Sequence, residues 1–312
     1  MIPVSLEPKS ESNNLFPIRT VCSVTGLNPV TLRAWERRYG LIKPLRTAKG
    51  HRLYTQSDID RINEVVRLLD KGVPVSQVGQ VLDSRREQKA QVPAAQDHWA
   101  RFISDMINAI SQFDERRLES VYNEALSLYP IDTVLRLLIV PLLRDLGRRW
   151  QTTEGSVAEE HFFGVFLRNK LGARFHHMRA RSDGPKLLTA CLPHEHHEIG
   201  LLIFSLLAKS LGFDIVQLGA NMPLDELPIA AKRAKCQAIV LAGSQAYDYA
   251  PIMKGLRVMV DEAKVPVFIG GSYSVSARDA IAATKAIPLG EDMAQALRLI
   301  QRTLEIKATD DK

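Results

Sequence analysis

Apolar residues recur along this 312-residue chain in three different rhythms. From Pro17 to Leu82 they form short helical blocks around an extended stretch. Between residues 98 and 181 a longer helical repeat takes over. Phe102, Met106, Ile107 and Ile110 share one helical face, and Val134, Leu137, Leu138 and Leu142 share another. The spacing predicts helices over 98–112, 114–129, 131–149 and 157–180, a small bundle. From Lys186 the rhythm changes again. Short apolar runs (Lys186–Leu192, Phe213–Leu218, Gln237–Ala242, Val265–Ile269) alternate with amphipathic segments at 198–211, 224–235, 249–262 and 275–284. A fifth strand near Ala286–Leu289 and a helix at 291–305 complete the series. Alternation of this kind predicts an α/β domain of flavodoxin-like (Rossmann-like) type, its parallel sheet covered on both faces. Ligands in such sheets bind beyond the carboxyl ends of the strands, at a topological switch point.

The chain therefore reads as multidomain: a disordered tail at 1–16, a winged-helix head at 17–82, a linker at 83–97 containing Pro93, the bundle at 98–181 and the α/β domain at 182–306. It has no run of eighteen apolar residues, so no membrane span is expected. The amino terminus lacks the basic start and apolar stretch of a signal peptide. Three scattered cysteines suit a reducing, cytoplasmic setting. Charge sharpens the division. Residues 17–90 hold fourteen Lys and Arg against seven Asp and Glu, whereas residues 91–312 hold twenty-six of each. The positive field belongs to the head, as phosphate-backbone binding requires.

Within the head, Ile18–Gly26 reads as a helix ended by glycine. Asn28 then caps a second helix, with Pro29 in its first turn. That helix, Pro29–Tyr39, carries Thr31, Arg33, Trp35, Arg37 and Arg38. Arginines on the second helix of a helix–turn–helix are placed to read a major groove. Ala48-Lys49-Gly50 reads as the turn of a wing flanked by Lys43, Arg46, His51, Arg52 and Tyr54, and Asp58 or Asp60 favours the start of a further helix through Leu69. A single arginine of this kind is usually a solvated charge; the whole array points to double-stranded operator DNA. Asn28-Pro-Val-Thr-Leu-Arg-Ala-Trp-Glu-Arg-Arg-Tyr-Gly40, followed by Lys-Gly-His-Arg-Leu-Tyr54, resembles the head of the MerR family, above all its MlrA and CarH/LitR branches. The segment 83–96 lacks the heptads of the long dimerisation helix found in other members, so association is expected from the carboxy-terminal module.

Three of eight histidines crowd into Cys191-Leu-Pro-His-Glu-His-His-Glu-Ile-Gly200, the loop after the first strand of the sheet. Residue 198 is Glu, so His194-Glu195 does not begin an HExxH zinc motif. A solvated cluster or an adventitious metal site remains open on these residues alone. Glu195-x-His197-x-x-Gly200 would let a carboxylate orient a metal-bound imidazole, with glycine admitting a ligand to the next helix. This stretch resembles the E/D-x-H-x-x-G signature of cobalamin-binding domains. The resemblance implies that His197 is the lower axial ligand of cobalt, with Ser244 and Gly270-Gly271 making room for the nucleotide tail. Trp150-x9-Glu160-His161 is similar to the W-x9-EH pattern of the CarH/LitR branch, implying that Trp150, Glu160 and His161 cover the upper face and the adenosyl group. Taken singly, Trp150 reads as core, Glu160 and His161 as surface or capping groups, and the glycines as turn residues. Gln151 departs from relatives that carry a histidine there. The resemblance implies a transcriptional repressor rather than an enzyme, a homo-oligomer (dimer or tetramer) controlled by adenosylcobalamin and light, with no other metal. The alternative is a cofactor-independent, MlrA-like regulator whose carboxy-terminal module serves dimerisation or protein interaction.

Overall fold

The head begins with a strand that its sequence did not announce. Phe16–Pro17 (β1) pairs antiparallel with Arg52–Tyr54 (β3), Phe16 opposite Tyr54, so Phe16 belongs to the folded head rather than to a disordered tail. The computed structural model describes residues 15–84, 95–150, 156–178, 184–244 and 249–310; the expected tail before Leu15 lies outside them, as do residues 85–94 of the linker expected at 83–97, whose ends at 83–84 and 95–97 are helical instead. The chain divides into two units, Met1–Phe162 and Phe163–Lys312.

In the first unit, α1 (Ile18–Thr25) ends at Gly26 in the left-handed conformation. Asn28 caps α2 (Pro29–Tyr39), its side chain accepting from Thr31 N–H at 2.8 Å. The wing is β2 (Leu45–Arg46) against β3, closed by a turn in which Gly50 has φ +79°. A capping box at Thr55 and Asp58 starts α3 (Gln56–Asp70), so the helix opens earlier than Asp58 or Asp60 alone suggests. Helix α4 (Val75–Ser84) follows.

The helices that follow are α5 (Ala95–Ser111), α6 (Glu115–Leu128), α7 (Ile131–Val134), α8 (Val140–Trp150) and α9 (Val157–His177), and the boundary between the two units falls within α9. Between α7 and α8, residues Leu135–Ile139 take a π-helical turn, with Val140 N–H reaching Leu135 O. Pro141 explains it: proline has no N–H to give Leu137 O, and its ring crowds that carbonyl in an ordinary helix.

The second unit is built on five parallel strands in the order β5-β4-β6-β7-β8. They are β4 (Lys186–Cys191), β5 (Asp214–Gly219), β6 (Ala238–Ala242), β7 (Val267–Gly270) and β8 (Ile287–Gly290). Successive side chains point to opposite faces. Leu188, Ala190, Ile239, Leu241 and Ile269 pack with residues of α11 (Glu226–Ala234) and α12 (Tyr249–Ala263), while Leu187, Val240 and Phe268 pack with α10 (Ile199–Ser210) and α15 (Met293–Asp310). Phe175, near the end of α9, joins the latter cluster. The helix expected at 275–284 is two short ones, α13 (Ser272–Ser276) and α14 (Arg278–Ala282). This strand order switches direction between β4 and β6, and the loops that leave their carboxyl ends are the expected ligand position. No helix among the described residues is long and apolar enough to cross a membrane.

Candidate functional site

Helix α2 has two unlike faces. Thr31, Leu32, Ala34 and Trp35 are buried, while Arg33, Arg37 and Arg38 are exposed. Residues four apart on a helix share a face, so Arg33 and Arg37 form one basic stripe. The buried face meets the end of α6: Trp35 Nε1 donates to Leu128 O at 2.9 Å and Thr31 Oγ1 to Leu126 O at 3.3 Å. The last carbonyls of a helix have no partner within it, and these donors supply one. Thr31 and Trp35 are therefore not DNA contacts, contrary to the sequence reading. Neither is Tyr54. Its ring is fully buried, its hydroxyl has no hydrogen-bond partner among the described residues, and burial pushes its pKa up to about 12. Lys43, Arg46, Lys49 and His51 are exposed and Arg52 is half-buried. One residue that the sequence did not single out organises them. Glu36 accepts from Arg46 at 2.7 Å and from Arg52 at 2.5 Å, tying α2 to the wing.

In the α/β unit, a second carboxylate does comparable work. Glu195, in the loop after β4, is fully buried. Its Oε1 accepts from His197 N–H and pairs with His197 Nδ1, both at 2.8 Å; its Oε2 accepts from the N–H and Oγ of Ser244, both at 2.6 Å. Burial alone raises a carboxyl pKa, but the hydrogen bonds from His197 and Ser244 outweigh it and lower this one to about 2. Glu195 is thus a fixed anion at neutral pH, and the His197 ring, half exposed, is oriented by it. The loop itself is braced by Asn221, which was missed in the sequence: its side chain accepts from His194 N–H at 2.8 Å, and its own N–H donates to Glu195 O at 2.9 Å. Both His194 and Asn221 adopt positive φ. Ser272 Oγ donates to Ser244 O at 2.6 Å, linking the loops after β6 and β7.

The glycines separate into two kinds. Gly271 has φ +90°, and a Cβ there would lie 2.3 Å from Gly243 O, so the chain's own packing requires it. Gly200 and Gly270 have no such need. A Cβ at Gly200 would meet nothing within 4 Å, and one at Gly270 would meet Leu289 at 3.8 Å and Gly290 O at 3.9 Å, both ordinary van der Waals contacts. Cys191 is a buried, neutral thiol, its pKa pushed up to about 12 by burial and by the neighbouring Glu195 and Glu198 carboxylates. Glu198 also pairs with Arg168 at 2.6 Å. A groove of about 630 Å³ lies beside this loop, lined by Pro193, His194, Leu224, Ile252 and Met259 among others; His197 is not in its lining. Of the remaining predicted residues, Glu160 closes the first turn of α9 and is half-buried, and His161 follows it, exposed. Trp150 ends α8; its side chain and Gln151 lie outside the described residues.

Known proteins share both regions. Residues 16–85 match the MerR HTH family regulatory protein, and residues 103–174 match a B12 binding domain. The HTH-type transcriptional repressor CarH of Myxococcus xanthus is 31% identical, over 84% of this chain and 90% of that protein. The HTH-type transcriptional regulator MlrA of Escherichia coli (strain K12) is 36% identical over 46% of this chain and 57% of its own length. The monomethylamine corrinoid protein of Methanosarcina barkeri superposes with a TM-score of 0.52 at 17% identity, covering 66% of this chain and 99% of that one, a likeness of fold. The relatives that span the head are regulators of transcription, and the chain belongs to the MerR family of helix–turn–helix transcriptional regulators, among those that carry a B12-binding domain.

Proposed function

We propose that this regulator is a repressor controlled by adenosylcobalamin and light, through oligomers that form only with the cofactor bound. The observation that carries the reading is the Glu195–His197–Ser244 arrangement at the switch point of the sheet. With Nδ1–H donated to Glu195, the imidazole is held in the tautomer whose Nε2 lone pair can ligate cobalt. A carboxylate on the other nitrogen also raises the basicity of the ligating one. The donor set fits the group, and so does the spacing of small residues: Gly200 and Gly270 are glycines that nothing in the chain itself demands. Ser244, Gly270 and Gly271 are proposed to flank the nucleotide tail. Trp150 would shield the upper ligand by an aromatic face, and Glu160 and His161 would hydrogen-bond its ribose. Adenosylcobalamin would supply a cobalt–carbon bond that visible light breaks.

On the head, Arg33, Arg37, Arg38, Lys43, Arg46, Lys49, His51 and Arg52 are proposed to meet operator DNA. A ligand that favours one assembly over another by a few kcal/mol shifts the population from mostly one to mostly the other. Joined heads then bind far more tightly than single ones. The test is to load purified protein with adenosylcobalamin in darkness and illuminate half of it with green light. The reading predicts a changed absorbance spectrum, smaller particles and weaker operator binding in the illuminated half. If all three stay the same, light control fails; if cobalamin does not bind at all, a cofactor-independent regulator is left.

A further inference from the structure

Glu36 carries an inference that rests on reading the exposed arginines as DNA contacts. On the β2–β3 pair, Arg46 and Arg52 stand directly opposite each other. Like charges facing across a strand pair repel. Glu36, projecting from α2, resolves the conflict: Oε1 accepts from Arg46 Nη2 and Oε2 from Arg52 Nε. Two guanidiniums and one carboxylate carry a net charge of about +1, and the other N–H groups of each guanidinium remain for a second acceptor. Burial disfavours the Glu36 anion, but the hydrogen bonds from Arg52 and Arg46 outweigh that and hold its pKa below the usual carboxylate value. The pair is anchored on the helix that carries Arg33 and Arg37, one residue before the latter. Phosphate contacts set the register of a protein on a duplex, and base contacts then read sequence.

We propose that Glu36 is a positioning residue for DNA recognition. By fixing Arg46 and Arg52 to α2, it sets where the wing meets phosphate relative to the bases read by the helix. By cancelling one of their charges, it restrains sequence-independent attraction. A carboxylate beside a polyanion is otherwise unfavourable, and its value lies in selectivity rather than in affinity.

The test compares full-length wild type with Glu36→Gln, in whichever of the cobalamin-loaded and cobalamin-free forms binds DNA more tightly. Two probes are titrated over a range of salt: the duplex that wild type enriches from a random library, and poly(dI-dC). Glu36→Gln should bind poly(dI-dC) more tightly, with a log K against log salt slope steeper by about one. Its preference for the enriched duplex should fall about tenfold, a 1.4 kcal/mol effect. Glu36→Asp keeps the charge, so its slope should stay at the wild-type value; it also serves if Glu36→Gln does not fold. An unchanged preference and slope would overturn the proposal. Parallel weakening on both probes, with a lowered unfolding temperature, would also overturn it, because the role would then be structural only. Arg37→Ala and Arg46→Ala separate the two levels of the argument. If they leave both affinities intact, the DNA-face reading has failed; if they weaken binding while Glu36→Gln leaves the preference intact, this inference alone has failed.

Discussion

Two carboxylates organise the two halves of this protein, and they differ in what they hold. Glu36 grips two permanent cations at the edge of the head, with 15% of its side chain exposed; Glu195 grips an imidazole and a serine, with 1% exposed. Near solvent, an ion pair adds little net stability. What Glu36 contributes is therefore geometry and charge balance in a surface built for a polyanion. A buried carboxylate must instead satisfy both its oxygens or cost several kcal/mol. Glu195 does so with four hydrogen bonds, and the same bonds fix the direction of one ring. Loosening the first device should cost the fold little. The second is part of the fold.

That contrast can be broken from either side, and the largest effect should come from the buried member. Glu195→Ala strands the Ser244 and His197 N–H groups. We expect a loss of about 2–4 kcal/mol in denaturant unfolding and a roughly 10–100-fold loss of cobalamin affinity by titration. Arg37→Ala should cost about tenfold in operator affinity if Arg37 meets a base, and should lower the salt slope by about one if it meets phosphate. In neither case should the unfolding temperature move much. Trp35→Phe is the counterpart on the hidden side of the same helix. Losing the bond to Leu128 O should cost about 1 kcal/mol of stability and leave the salt slope as it was.

Tyr54→Phe should be nearly silent at neutral pH, because the hydroxyl it removes has no partner among the described residues. Its signature lies in alkali. The folded-state pKa is raised from 10.0 to about 12, so the protonated phenol favours the folded chain. That contribution is complete below pH 10 and is lost as pH rises from 10 towards 12, by about 3 kcal/mol at most. The difference between wild type and Tyr54→Phe in alkaline unfolding should trace this window.

The sequence disclosed much of what depends on neighbours along the chain. Helical spacing placed Arg33 and Arg37 together, Asn28-Pro29 marked the start of α2, and the spacing of Glu195, His197 and Gly200 already contained the two-residue reach of the Glu195–His197 bond. Contacts between distant segments stayed hidden. Trp35 was misjudged because its partner, Leu128, is 93 residues away. Tyr54 was misjudged because β3 is only three residues long, too short for alternation to tell inside from outside. Glu36 reads as one more surface charge until the wing folds back over ten and sixteen residues. Ser244 lies 49 residues from Glu195, and only the placing of β4 beside β6 brings them together. Asn221 gave no signal, since its role depends on a left-handed backbone in the loop after β5.

The most direct measurement is the electron paramagnetic resonance spectrum of cob(II)alamin bound to protein whose histidines carry nitrogen-15, with the cofactor left at natural abundance. If the imidazole held by Glu195 is the axial base, each cobalt line should be split in two in the labelled protein and in three in the unlabelled one, and His197→Ala should abolish the change. Triplets that persist in the labelled protein would assign the axial nitrogen to the cofactor's own base and contradict the account.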